Sequence, residues 1–79
     1  MNPLRIPPEL PAYAREYLTQ IDTAVTASLH AVPPDWSDDP RLYVAGSMWN
    51  WADNGTSKLM LDTYVRLIQE QSARSARAA

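Results

Sequence analysis

The stretch Met48-Trp49-Asn50-Trp51-Ala52-Asp53-Asn54-Gly55-Thr56-Ser57-Lys58-Leu59-Met60-Leu61-Asp62-Thr63-Tyr64-Val65 decides the fold. Asn-Gly between two apolar runs is the strongest short signal for a β-hairpin. Alternation tests that reading. In a first strand Met48, Asn50 and Ala52 would share one face and Trp49 and Trp51 the other, which fails to separate polar from apolar. In a second strand Leu59, Leu61, Thr63 and Val65 would oppose Met60, Asp62, Tyr64 and Arg66, a tolerable segregation. Further along, Lys58, Asp62, Arg66, Glu70 and Arg74 alternate in sign every four residues. Opposite charges at i,i+4 support a helix by a few tenths of a kcal/mol per pair, and the spacing has no use in a strand. Helix therefore wins.

The spacing predicts a third helix over 57–74, capped by Thr56 or Ser57, with Met60, Leu61, Tyr64, Val65, Leu67 and Ile68 on its inner face. Leu59 alone falls on the charged side. Beyond Gln71 the Ser-Ala-Arg repeat has no apolar face, so residues 75–79 read as a frayed tail. The second helix spans 40–54, opened by Asp38 or Asp39 with Pro40 at its first position and closed by Gly55 as a left-handed cap. Its apolar arc covers about half the circumference, with Trp49 and Trp51 at opposite edges.

A first helix runs over 11–32. Tyr13, Tyr17, Leu18, Ile21, Val25 and Leu29 share one face, while Arg15, Glu16, Asp22 and His30 lie on the other. Pro33-Pro34 ends it. Four of the seven prolines fall in the first eleven residues, so residues 1–10 read as an extended arm leading to Pro11 in the first helical turn. The expectation is one all-α domain over 1–79: three compact helices with a Pro-rich arm.

Composition narrows function mainly by exclusion. A chain of 79 residues, 46% hydrophobic, supports one modest core. With no Cys there is no disulfide framework, thiolate metal site or cysteine nucleophile. One His cannot build a histidine cage, and two Gly leave no room for a phosphate-cradling loop. No apolar run approaches membrane-spanning length and no signal-peptide pattern opens the chain, which points to a cytoplasmic protein with no membrane association. The net charge of −2 is uneven. It runs −1 over residues 1–34, −3 over 35–55 and +2 over 56–79, without the concentrated basic face of a nucleic-acid binder.

The chemical motifs fall short one by one. Asp35, Ser37 and Asp39 match positions one, three and five of a calcium loop, but Pro40 stands where glycine is needed and Gly46 where glutamate is needed. His30 belongs to no Ser-His-acid constellation, since Ser28 points to the other face of the helix. A helix-turn-helix centred on Gly55 would place Trp51 where a small residue belongs and Asn54 at an apolar position, and its recognition helix would carry Asp62 and Glu70. Arg5-Ile6-Pro7-Pro8-Glu9-Leu10-Pro11 fits a polyproline ligand, although Pro11 already serves a helix start. Asn54-Gly55-Thr56 fits a glycosylation acceptor, but the cap reading suits it better.

The tryptophans carry most of the remaining information. All three lie within residues 36–51, the acidic stretch, and indole is enriched at binding hot spots. The expectation is a non-catalytic module that binds another protein, such as a stoichiometric inhibitor, adaptor or accessory subunit, with no metal and no cofactor. Its contacts would be Asp35, Trp36, Asp38 and Asp39, then Trp49 and Trp51. The alternatives are a small DNA-binding regulator acting as a dimer, and a structural homo-oligomer with its tryptophans buried between copies.

Overall fold

The computed structural model describes residues 2–78, with side chains over 2–76. Three α-helices in chain order, α1 (Ala12–Ala27), α2 (Pro40–Trp51) and α3 (Gly55–Ala78), form the all-α domain expected, and no strand occurs among the described residues. The hairpin alternative at Asn54-Gly55 is thereby removed. Residues 2–10, outside any helix, lie against α3. The side chain of Gln71 clasps the backbone of Arg5, its Oε1 accepting from the amide at 2.9 Å and its Nε2 donating to the carbonyl at 2.6 Å. Leu4, Ile6 and Leu10 pack on the core from this segment.

The core is small and has clear sequence origins. Ala14, Leu18, Ile21 and Val25 descend α1 at spacings of four, three and four, one stripe of a 3.6-residue helix. Met60, Leu61, Tyr64 and Ile68 of α3 meet them, and α2 adds Val44 and Ala45. Two hydrogen bonds tie α1 to α3. Tyr17 and Ser57 join their hydroxyls at 2.8 Å, and Tyr64 donates to Asp22 Oδ1 at 2.8 Å. Rising residue numbers on both helices mean that α1 and α3 run in the same direction.

Helix ends depart from the sequence-based boundaries in five places, the smallest at the start of α1, where Pro11 is the cap residue and Ala12 the first in the helix. Instead of reaching residue 32, α1 stops at Ala27, where Ser28 turns out of helical geometry (φ −108°, ψ 8°) and a short 3₁₀ turn follows over Leu29–Ala31. Tightening to 3₁₀ is how a helix commonly closes, and Pro33-Pro34 bars continuation. At its far end α2 stops at Trp51, not residue 54, because Ala52 is extended (φ −71°, ψ 128°). Gly55 is no left-handed cap. Neither glycine has a positive φ, and Gly55 is the first residue of α3. The reason is Asn54, whose side-chain carbonyl accepts from the Ser57 amide at 2.8 Å and so opens the next helix where a cap by Thr56 or Ser57 was expected. Finally, α3 runs through Ala78, past the expected end at 74 and into the segment read as a frayed tail; residue 79 lies outside the described residues.

Candidate functional site

The N-terminus of α2 is built as the sequence suggested, and more tightly. Asp39 Oδ1 accepts from the Arg41 amide at 2.9 Å as an N-cap, with Pro40 in the first helical position. The same carboxylate grips the Arg41 guanidinium, Oδ1 to Nε at 3.0 Å and Oδ2 to Nη2 at 2.6 Å. This bidentate pair permits an arginine to sit only 5% exposed in an 8.9 kDa protein. Burial alone would raise the Asp39 pKa, but the hydrogen bonds and charge of Arg41 outweigh it and hold the carboxyl below its usual range.

Behind that pair, Tyr64 is fully buried, and burial followed by its bond to Asp22 pushes its phenol well above the ordinary value. Arg41 also feels the fields of Tyr64 and Asp22. The two pairs draw polar groups from all three helices into a polar thread that is hydrogen-bonded within each pair, and no buried side-chain polar atom among the described residues lacks a hydrogen bond. Sequence reading had Asp22 on the polar face of the first helix and gave Arg41 no structural place. No periodicity could have revealed that a short-range fork at i,i+2 lets Arg41 turn inward.

The expected contact residues divide into three groups. Asp39 is turned inward and committed to Arg41, its side chain 11% exposed. Trp36 is half folded back: its Nε1 donates to the Asp39 carbonyl at 3.0 Å, its ring meets Tyr43 edge-on at 5.2 Å, and 40% of it stays exposed. Asp35 and Asp38 beside it are exposed, and Asp38 accepts from the Asp39 amide at 2.7 Å. On α2, Trp49 is covered in part by Lys58, whose Nζ lies 5.6 Å from the ring centroid. Trp51 is 88% exposed.

Trp51 stands at the edge of an apolar groove of about 470 Å³ between α1 and α2. One end is formed by Tyr17, Trp51, Ala52, Asp53 and Ser57, brought together by the Tyr17–Ser57 hydrogen bond. Ser28, Ala31 and Tyr43 form the other, where Tyr43 touches Trp36 of the acidic loop. Ile21, Val44, Met48 and Leu61 make up the floor. Tyr43 and Trp51 are eight residues apart on one helix, so the groove is about 12 Å long. Asp53 is the one charged residue in the lining. The sequence offered Trp51 as a contact but gave no sign of the groove, which depends on the direction in which α2 lies across α1.

The arrangement can hold an apolar surface. Among the described residues no group of three His, Cys, Asp or Glu is placed to hold a metal ion. No helix among them is long and apolar enough to cross a membrane. Comparison with protein-family models, with curated proteins and with solved structures finds no match to this chain.

Proposed function

We propose that this protein is a non-catalytic protein-binding module that holds its partner along the groove between α1 and α2, with Trp51 as the anchor. One observation carries the reading. An indole 88% exposed beside an apolar groove of about 470 Å³ is a large unsatisfied apolar surface on a very small protein. Exposed apolar patches of this kind mark interaction sites, and Trp anchors at interfaces typically cost about 2 kcal/mol or more when truncated, roughly 30-fold in Kd. Three of the seven cations are engaged within the fold: Arg41 is buried, Lys58 covers Trp49 and Arg66 pairs with Asp62 at 2.8 Å.

The test is affinity capture from the native host's lysate with three baits: the unaltered chain, Trp51→Ala and Trp49→Ala. The expected result is a stoichiometric partner retained by Trp49→Ala and lost from Trp51→Ala. A partner that binds the Trp51→Ala chain equally well refutes the assignment of the groove. Recovery of the bait alone, in a stable oligomer, would favour the structural homo-oligomer instead.

A further inference from the structure

We propose that the occupant of the groove is an amphipathic helical segment of another protein, carrying cationic side chains at both ends of a short apolar stripe. The inference rests on the reading of the groove as a protein-binding surface and goes further by naming the chemistry of what fits there.

Length comes first. A helix laid in a groove presents its i, i+3 or i+4 and i+7 side chains, and seven residues of helix advance about 10.5 Å. That matches the roughly 12 Å between Tyr43 and Trp51 on the α2 wall. The partner's stripe is thus about two turns long, and flanking residues fall just beyond the groove ends.

Charge identifies those flanking residues. At the Trp51 end stands Asp53. At the Tyr43 end, through the contact with Trp36, comes the loop bearing Asp35 and Asp38. None of the three has a cationic side-chain partner among the described residues. The nearby cations are used elsewhere: Arg41 is locked to Asp39 at 2.6 Å, and Lys58 lies over Trp49. The Trp51 end therefore carries an unneutralised carboxylate in its lining, the Tyr43 end adjoins the loop with two more by way of Trp36, and the rest of the lining is uncharged. A lysine or arginine arriving at the Trp51 end meets an indole face and a carboxylate together, which combines cation–π attraction with an ion pair.

The same charges argue against a second copy of this chain as occupant. A two-fold interface pairs residue i of one copy with residue j of the other and j with i, so two grooves laid together would bring the Asp53 end of one copy against the Asp35 and Asp38 end of the other, acid against acid. Like charges brought together in an interface oppose association. Complementarity favours a basic partner over a self-pair.

The experiment is selection from a displayed library of random peptides about 16 residues long, four or more helical turns, on the full chain at low ionic strength. Binders that also hold Trp51→Ala are removed. The expected winners carry an apolar stripe bracketed by Lys or Arg. One such peptide, synthesised and titrated, should bind about 2–5-fold more weakly to Asp53→Asn, and again to Asp35→Asn with Asp38→Asn, and should weaken as salt is raised. Winners that depend on Trp51 but are neutral or acidic, or that ignore the aspartates, overturn the cationic assignment and leave the groove reading standing. Failure to find any peptide that distinguishes the chain from Trp51→Ala overturns both. A dimer by sedimentation that dissociates on Trp51→Ala overturns the hetero-partner assignment in favour of a second copy.

Discussion

Replacing Tyr64 by Phe removes one oxygen from the centre of the protein and leaves the ring in place. The phenol donates to Asp22 Oδ1 at 2.8 Å, and Tyr64 is fully buried while Asp22 is half-buried. A hydrogen bond to a charged group contributes roughly 1.5–3 kcal/mol. Water can reach a half-buried carboxylate and recover part of that, so the expected loss is about 1–2 kcal/mol. A chain of this length has only about 4–12 kcal/mol to lose, and each kcal/mol moves the midpoint by about 4–8 °C. Tyr64→Phe should therefore melt about 5–15 °C lower, read by far-ultraviolet circular dichroism. Asp22→Ala should fall similarly, and the double variant should lose less than the sum, because both changes break one bond. The bond also fixes a pH signature. Burial and Asp22 raise the Tyr64 pKa from an ordinary 10.0. The neutral phenol is thus favoured by folding, and its contribution is complete below pH 10.0. It is lost as pH climbs beyond that, where the unfolded chain ionises and the folded one does not. Tyr64→Phe should lack this component of alkaline destabilisation. A midpoint unchanged within about 1 °C, together with an unchanged alkaline slope, would refute the Tyr64–Asp22 bond as a stabilising element.

Three further outcomes follow from the same geometry. Asp39→Ala removes the α2 cap and strands the 5%-exposed Arg41, so about 3 kcal/mol should go in denaturant titration. Because Arg41 holds the Asp39 pKa below its ordinary 3.8, the stability it lends is complete above that value and disappears as pH falls through the lower folded pKa, an acid component the variant should lack. Gly55→Ala should stabilise by about 0.5–1 kcal/mol, since its φ is negative and a methyl there meets nothing within 4 Å; destabilisation would restore the left-handed cap. Trp51→Ala should shift unfolding by no more than about 0.5 kcal/mol, so a large loss would mean that Trp51 is structural.

The helices were legible because their signals are local and redundant. The α3 charge ladder, the α1 stripe and the Asp-Pro start of α2 each repeat a single requirement within a few turns. Helix ends were less legible because one residue can serve either neighbour. Asn54-Gly55 reads equally well as the close of α2 or the opening of α3, and the bonds from the Ser57 and Lys58 amides to Asn54 assign it to α3. The polar thread was illegible for a related reason. Asp22 lies on the hydrophilic side of α1 by any periodicity, yet Tyr64 reaches it at 2.8 Å because a long side chain can meet a partner at the margin of a face.

The tryptophans show how far composition can carry a functional reading. Residues 49 and 51 lie about 200° apart on a helix, so the sequence alone required that one packing face could not easily bury both. It could not say that both stay outside or that they differ in kind. Trp49 is partly covered by Lys58, a cation from the first turn of α3 that the short 52–54 connection brings alongside. Among the described residues no such cover reaches Trp51, which is 88% exposed and borders the groove between α1 and α2. The acidic loop was legible as a charged surface, but its parts are not equivalent: Asp39 is consumed by Arg41, whereas Asp35 and Asp38 stay exposed beside Trp36. What the fold adds to the sequence is therefore a division of labour. One carboxylate holds α2 in place, while Asp35, Asp38 and Asp53 stay exposed with no cationic side-chain partner among the described residues.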